Sequence, residues 1–207
     1  MHMMNEYIEA VSSTPLDGNL ANGEGLGFDD MGGSIYEHFD VNEMQTIHEI
    51  QDVIDGTDEL KIDNWTELNI EQKGEVLQNL ENKLAEIESR QPLRVIVEDM
   101  PAGTCGSTDL ENNIIRINTS EVADNSLSGL REVVDTVVHE GRHAYQYQNV
   151  FIQRTEVNDA KFNGWVDNYQ TGYLTQDMFG YDAYRSQPLE DDAWHFAEQT
   201  VSTLSFR

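Results

Sequence analysis

The stretch VVDTVVHEGRHAYQYQ, residues 133–148, places His139 and His143 four positions apart, with Glu140 directly after the first histidine. The regularly spaced valines indicate a helix, on which residues four apart lie about 40° from each other. Both imidazoles can therefore reach one metal ion, whereas Glu140 points about 100° away from His139. This offset suits a carboxylate that takes a proton from water beside the metal. The alternative is an amphipathic helix with two incidental histidines.

A third metal ligand is expected further along the chain, because a catalytic zinc ion usually takes three protein ligands. The segment SQPLEDDAWHFAEQTVSTL, residues 186–204, predicts a helix with Pro188 in its first turn. On a helical wheel Glu190 falls on the apolar face, whereas Asp191 and Asp192 fall on the outer face. A buried carboxylate is costly unless it is paired or binds a cation, which favours Glu190 as the ligand. The alternative for Glu190 is an acid that only favours the helix N-terminus. A separate hypothesis is that Asp192 supports a ligand histidine as a hydrogen-bond acceptor.

Two further helices are predicted before the motif. Apolar spacing indicates the first over residues 36–56. Asn69 and Gln72 form a capping-box pattern ahead of the second, which is expected to run for about 20 residues and to stop at Pro92.

Two β-branched runs predict strands, LRVIVEDM at 93–100 and NIIRIN at 113–118, joined by a loop at 101–112. We expect the second strand to be an antiparallel partner or a sheet edge. The long helix of the motif then begins at Ser126 or Ser128. This order of elements predicts an α+β fold, with a small mixed or antiparallel sheet packed against the active-site helix and a helical C-terminal part.

The chain is expected to form one domain with an N-terminal extension. Its 207 residues are 38% apolar, which suits a single core. Residues 12–34 are rich in Gly, Asp, Asn and Ser. We therefore expect residues 1–35 to form a flexible arm or linker, and residues 36–207 to form the domain.

The chain is strongly acidic, with 39 Asp and Glu against 12 Lys and Arg and a formal net charge of −27. This argues against nucleic acid or an anionic membrane as a partner and favours a cationic one. The opening MHMMNEYIEA lacks the basic and apolar regions of a signal peptide. We therefore expect synthesis in the cytoplasm and, if the protein leaves the cell, export by a dedicated secretion system. The single cysteine, Cys105, excludes an intramolecular disulfide and is an alternative zinc ligand.

HEGRH on one helix and a glutamate on a later helix resemble zinc metallopeptidases of the gluzincin type. More narrowly, the chain resembles the zincin-type toxin domains at the C-termini of bacterial polymorphic toxins. The similar stretches cover about residues 60–200 and are DNWTELNIEQKGEVLQNLENKLAEIESRQPLRVIVE, GSTDLENNIIRIN, VVHEGRHAYQYQ and QPLEDDAWHFA. The resemblance implies a zincin-like domain with one zinc ion per chain, held by His139, His143 and Glu190, and Glu140 as general base. It also implies a protein or peptide substrate that lies along NNIIRIN as an edge strand, and an immunity or carrier protein as partner.

Two features depart from the family pattern. Glu190 is not followed by the Ser-Asp pair of thermolysin-like enzymes, and the gap before it is long. The 47 positions from His143 to Glu190 exceed the gap in the shortest gluzincins, which predicts that residues 149–184 are an insertion that shapes the cleft.

A peptidase also needs a group that stabilises the oxyanion. The candidates are Tyr181, Tyr184, Arg142 and His195, with Tyr184 preferred because it lies just before the ligand helix. The alternative for Tyr184 is an ordinary half-buried tyrosine.

Two hypotheses follow from the sequence. The first is a zinc-dependent endopeptidase that acts as an effector or toxin on a protein in a target cell. The second is a non-catalytic acidic interaction module, with an inactive zincin fold, that binds a basic protein.

Overall fold

The computed structural model describes residues 8–11 and 41–207, which form one mixed β-sheet and a set of helices in an α+β arrangement. The helices, in chain order, are α1 Val41–Asp55, α2 Ile62–Trp65, α3 Ile70–Ile87, α4 Thr119–Ala123, α5 Leu127–Phe151, α6 Asp159–Thr171, α7 Gln176–Phe179, α8 Tyr181–Arg185 and α9 Pro188–Val201. The strands are β1 Ile8–Val11, β2 Arg94–Glu98, β3 Thr104–Asp109 and β4 Ile114–Asn118. A 3₁₀ turn, Asp58–Leu60, lies between α1 and α2.

The N-terminal predictions fall only partly on described residues. Within the helix expected over 36–56, α1 covers residues 41–55, and residues 36–40 lie outside the described part. Of the arm expected at 1–35, only residues 8–11 are described, and their backbone forms β1.

The sheet differs from the prediction in its order. The strands lie in the order β1-β3-β4-β2, with β4 parallel to β2 and antiparallel to β3, and β1 antiparallel to β3. The expected loop at 101–112 therefore contains β3. The expected edge strand at 113–118 is interior, and it is not antiparallel to the strand at 93–100. The reason is that β3, with the sequence TCGSTD, is built from small and polar residues that give little strand signal, although every one of its residues is buried.

The capping box of α3 is confirmed. The Asn69 side chain accepts a hydrogen bond from the backbone N–H of Gln72 at 2.9 Å, and the Gln72 side chain accepts one from the backbone N–H of Asn69 at 3.0 Å. The helix ends at Ile87, before Pro92, because Ser89 adopts a left-handed conformation with φ 55° that turns the chain. Pro92 is therefore not what ends this helix.

The motif helix α5 is the centre of the domain. Ser126 caps it by accepting from the backbone N–H of Gly129, so the first of the two expected caps is confirmed. One face of α5 packs against the sheet and another against α9. The fully buried apolar residues of this core come from every layer and include Ile50, Leu77, Ile115, Ile117, Val133, Val134, Val137, Val138, Phe196 and Ala197. Among the described residues, no helix combines the length and apolar character needed to cross a bilayer.

A buried cluster of charged side chains at the C-terminal end of α3 packs against the motif helix. Arg90 donates to both carboxylate oxygens of Glu81, at 2.6 and 2.9 Å, and to Glu88 at 2.7 Å. The guanidinium lies directly over Gly141, the residue after the predicted base. A Cβ on Gly141 would lie 2.7 Å from Arg90 Nη2 and 3.2 Å from Glu81 Oε2. The absence of a side chain at position 141 therefore allows the ion pair to pack on the motif.

We expect Gly141→Ala to lower the free energy of unfolding by about 1–3 kcal/mol, because the added methyl group displaces a buried ion pair. Gly74→Ala is the matched control, since its methyl group would meet only Val97 Cγ2 at 3.5 Å. Alanine's better helix propensity should make this control more stable by about 0.5–1 kcal/mol. Chemical denaturation measures both changes. A Gly141→Ala variant as stable as the parent contradicts the packing argument.

Candidate metal centre

The three predicted ligands meet at the interface of α5 and α9. His139 and His143 lie one turn apart on α5, and Glu190 lies in the first turn of α9, which begins at Pro188 as predicted. His143 Nε2 is 3.1 Å from His139 Nε2 and 3.1 Å from Glu190 Oε1, and His139 Nε2 is 3.4 Å from Glu190 Oε2. Bonds of about 2.0–2.1 Å to a tetrahedral zinc ion would separate the donor atoms by about 3.3 Å. The two imidazole nitrogens and the carboxylate of Glu190 therefore lie close enough together to hold one ion.

Unpartnered polar atoms support a cation at this place. All three ligand residues are at most 1% exposed. His139 Nδ1 and Glu190 Oε2 are buried and have no hydrogen-bond partner among the described residues. A buried carboxylate without compensation is costly, and a dication beside it would remove that cost. Two imidazoles and a carboxylate are also the donor types that zinc prefers, so the residues present fit this metal.

The electrostatics of the site favour positive charge between the ligands. Burial raises the pKa of Glu190, but the facing imidazoles of His143 and His139 outweigh it and hold that pKa well below its usual range. Burial lowers the pKa of His139 despite the neighbouring carboxylate of Glu190. At His143 burial also lowers the pKa, but the carboxylates of Glu190 and Glu140 outweigh it and leave that pKa raised. A proton or a metal ion can supply the charge that this cluster stabilises.

Glu140 points from α5 toward the sheet. Its Oε2 accepts a hydrogen bond of 2.6 Å from Thr108 Oγ1 on β3, and its backbone carbonyl accepts from the same hydroxyl at 3.1 Å. The residue is completely buried, like the ligands. The predicted base is thus held by β3, the strand that the sequence prediction missed.

Two tyrosines cover the ligand cluster. Tyr173, between α6 and α7, donates a hydrogen bond to Glu190 Oε1, and its ring stacks edge-on against that of Tyr184 at 6.1 Å. Tyr184 is also close enough to Glu190 for the charge of this carboxylate to raise the pKa of its phenol. Burial, reinforced by the charge of Glu190, raises the pKa of both phenols far above the ordinary value. Both therefore keep their protons and can donate toward the site.

Sequence reasoning named Tyr184 but missed Tyr173. Tyr173 lies in a loop between α6 and α7, where helical spacing cannot predict which way a side chain points. The local sequence therefore does not distinguish it from the other tyrosines. Residues 149–184, expected as a helical or looped insertion, contain the C-terminal end of α5, then α6 and α7, and most of α8. The insertion therefore supplies the cover of the site.

The other candidate oxyanion groups are engaged elsewhere. Arg142 is 2% exposed and forms ion pairs with Asp192 and Glu43. His195 donates from Nδ1 to the backbone carbonyl of Asp191 at 2.7 Å. Tyr181 is 43% exposed and lines a surface cavity of about 410 Å³. None of these three makes a described contact with the ligand cluster.

Two expectations for other residues are corrected or resolved. Asp192 is expected on the outer face of α9, but it is only 9% exposed. Its carboxylate forms buried ion pairs with Arg142 at 2.8 Å and with Lys161 at 2.9 Å. Its alternative role beside a ligand histidine is indirect, since it contacts Gln146, which in turn contacts His143. Cys105 is buried in β3 and does not belong to the group of potential ligands.

Comparisons of the chain with protein-family models, with curated proteins and with solved structures found no match. The assignment of a function therefore depends on the residues and geometry of the site itself.

We expect the purified chain to bind one zinc ion, and Glu190→Gln to weaken that binding by more than about 100-fold, because the carboxamide removes the negative charge. Asp191→Asn is the matched control, since its half-exposed carboxylate pairs with Arg185 at 3.0 Å. Calorimetric titration measures both affinities. Zinc at 1,000 times its dissociation constant should also stabilise the fold by about 4 kcal/mol. Equal zinc affinity in Glu190→Gln and the parent would show that the ligand set is wrong.

Proposed function

We propose that this protein is a zinc-dependent endopeptidase. The observation that carries the proposal is the convergence of His139, His143 and Glu190, whose donor atoms lie 3.1–3.4 Å apart. Glu140 follows the first of these ligands directly in the sequence, as the catalytic base does in H-E-x-x-H peptidases. A cation site alone requires only the three ligands, whereas hydrolysis also requires such a base.

The catalytic roles follow from these positions. A bound zinc ion supplies a positive charge that acidifies water and polarises the scissile carbonyl. Glu140 accepts the proton of the attacking water on a carboxylate oxygen and later returns it to the leaving amine nitrogen. Thr108 orients this carboxylate by its 2.6 Å hydrogen bond.

Tyr184 is the proposed donor to the developing oxyanion. Its phenol is protonated because burial and the charge of Glu190 raise its pKa, so its O–H can donate when negative charge forms on the carbonyl oxygen. Tyr173 has the same chemistry and the same neighbour, Glu190. To act in this way, Tyr173 must exchange its bond to the ligand carboxylate for one to the substrate.

The fold and charge support the zincin-like toxin assignment. A mixed sheet lies against α5, as expected of a zincin-like domain, and β3 adds a hydrogen bond from Thr108 to the proposed base. A net charge of −27 favours a basic protein as substrate, immunity protein or carrier. We propose that the enzyme acts as an effector inside a target cell, after delivery by a dedicated secretion system.

One observation favours a second candidate function. The candidate ligand residues are at most 1% exposed, and Tyr173 bonds to Glu190, so the cluster is closed to solvent. A closed site suits a non-catalytic acidic module in which the metal stabilises the fold and the surface binds a basic protein.

We expect Glu140→Gln to bind zinc like the parent but to lose at least about 100-fold in peptide hydrolysis, because the amide cannot accept the proton. Glu75→Gln, at an exposed position of α3, is the control for the loss of one carboxylate. New protein N-termini in cells that express each form provide the measurement. If the parent and Glu140→Gln generate the same new N-termini, or neither generates any, the chain is not this peptidase and the second candidate is favoured.

A further inference from the structure

The side chain of Gln146 lies between a metal ligand and a buried charge cluster. It follows His143 by three positions on α5 and is completely buried. Its Oε1 is 2.8 Å from His143 Nδ1, the ring nitrogen that faces away from the ligand cluster. Its Nε2 is 2.9 Å from the backbone carbonyl of Leu189 and 2.9 Å from Asp192 Oδ2. Gln146 therefore connects α5 to the first turn of α9.

The contacts of Nε2 determine which way the amide of Gln146 points. A carbonyl and a carboxylate only accept hydrogen bonds, so both must face the NH₂ group. The opposite orientation would place Oε1 against two buried acceptors, the Leu189 carbonyl and Asp192 Oδ2. The oxygen of the amide is therefore the atom that faces His143.

This orientation also determines the tautomer of His143. Oε1 has no hydrogen to give, so the bond of 2.8 Å requires that His143 Nδ1 carries the proton. In the neutral ring, Nε2 then has the lone pair, and it is Nε2 that lies 3.1 Å from both His139 Nε2 and Glu190 Oε1. Metal binding needs this lone pair.

We propose that Gln146 is a positioning residue that keeps the His143 proton on Nδ1 and so presents the Nε2 lone pair to the metal centre. The inference deepens the proposed function and rests on it where it concerns zinc. No sequence motif marks the residue, since its role depends on α9.

The charge cluster behind Gln146 fixes it in place. Asp192 accepts from Arg142 at 2.8 and 3.1 Å, as well as from Gln146, and pairs with Lys161 of α6 at 2.9 Å. Arg142 and Lys161 both bind Glu43 of α1 as well. Four helices thus hold the acceptor that orients the amide of Gln146. Rotation of that amide would break bonds in a closed, buried network.

The second imidazole has no equivalent support. His139 Nδ1 is buried and has no hydrogen-bond partner among the described residues. Its ring is positioned by packing, with the rings of His143 and Trp194 at 4.8 and 5.0 Å. Gln146 is therefore the described residue that selects a tautomer at this centre, and its loss should affect His143 in particular.

The tautomer is measured directly on the metal-free full-length chain. Long-range ¹H–¹⁵N correlation spectra at alkaline pH, where both imidazoles are neutral, show which nitrogen of each ring carries the proton. We expect His143 to carry it on Nδ1 in the parent. A proton on Nε2, or an even mixture of the two forms, overturns the proposal without any variant being made.

Two substitutions separate positioning from packing. Gln146→Leu removes the acceptor, so we expect a mixed His143 tautomer and a zinc affinity about 10–100-fold weaker. Gln146→Glu keeps an acceptor oxygen but places a second carboxylate at Asp192, so we expect lower stability with the Nδ1–H tautomer retained. Gln148→Leu is the matched control, because Gln148 also lies on α5 and donates at 2.8 Å to the carbonyl of Ser89, far from the ligands. We expect this control to leave the tautomer and the zinc affinity unchanged.

The outcomes for the two proposals are distinct. If Gln146→Leu keeps both the parent tautomer and the parent zinc affinity, the positioning role is wrong and the peptidase proposal stands. If the parent chain binds no zinc while His143 carries its proton on Nδ1, the peptidase proposal fails and Gln146 orients a histidine in a metal-free cluster.

Discussion

The burial of charge between α5 and α9 is the constraint on which the rest of the structure depends. Glu190 is completely buried and lies against two imidazoles, while Arg142 on the same interface binds carboxylates from α1 and α9. Removing one partner of such a buried pair typically costs about 3–5 kcal/mol, because the other charge is left uncompensated. Each buried charge at this interface is therefore stable only beside a partner on another helix. The geometry of the ligand cluster follows from how the core neutralises its own charges.

The motif helix and the approach of Glu190 to its two histidines could be predicted from the sequence, since they depend on local spacing. His139 and His143 are one helical turn apart wherever the helix lies, and the inward orientation of Glu190 follows from the apolar face of α9. The caps at Asn69 and Ser126 are equally local, because each bonds a backbone group three residues away. An α+β fold follows from the order of such elements.

What could not be predicted depends on long-range packing. β3 has few large apolar side chains, so its burial comes from the elements around it and not from its own pattern. β4 is interior because β3 and β2 pair on its two sides, and this cannot be read from the strand itself. Asp192 is drawn inward by Arg142, 50 positions earlier in the chain. Gly141 and Arg142, the two variable positions of the motif, acquire their roles only through Glu81, Arg90 and Asp192.

The cover formed by Tyr173 and Tyr184 has a kinetic consequence. Tyr173 donates to Glu190, the ring of Tyr184 lies against that of Tyr173, and the candidate ligand residues beneath them are at most 1% exposed. An ion at this centre would exchange with bulk solvent through a local opening of the chain, so its residence time would depend on that opening as well as on affinity. Such an ion would survive dilution and competition from chelators far longer than one in an open cleft.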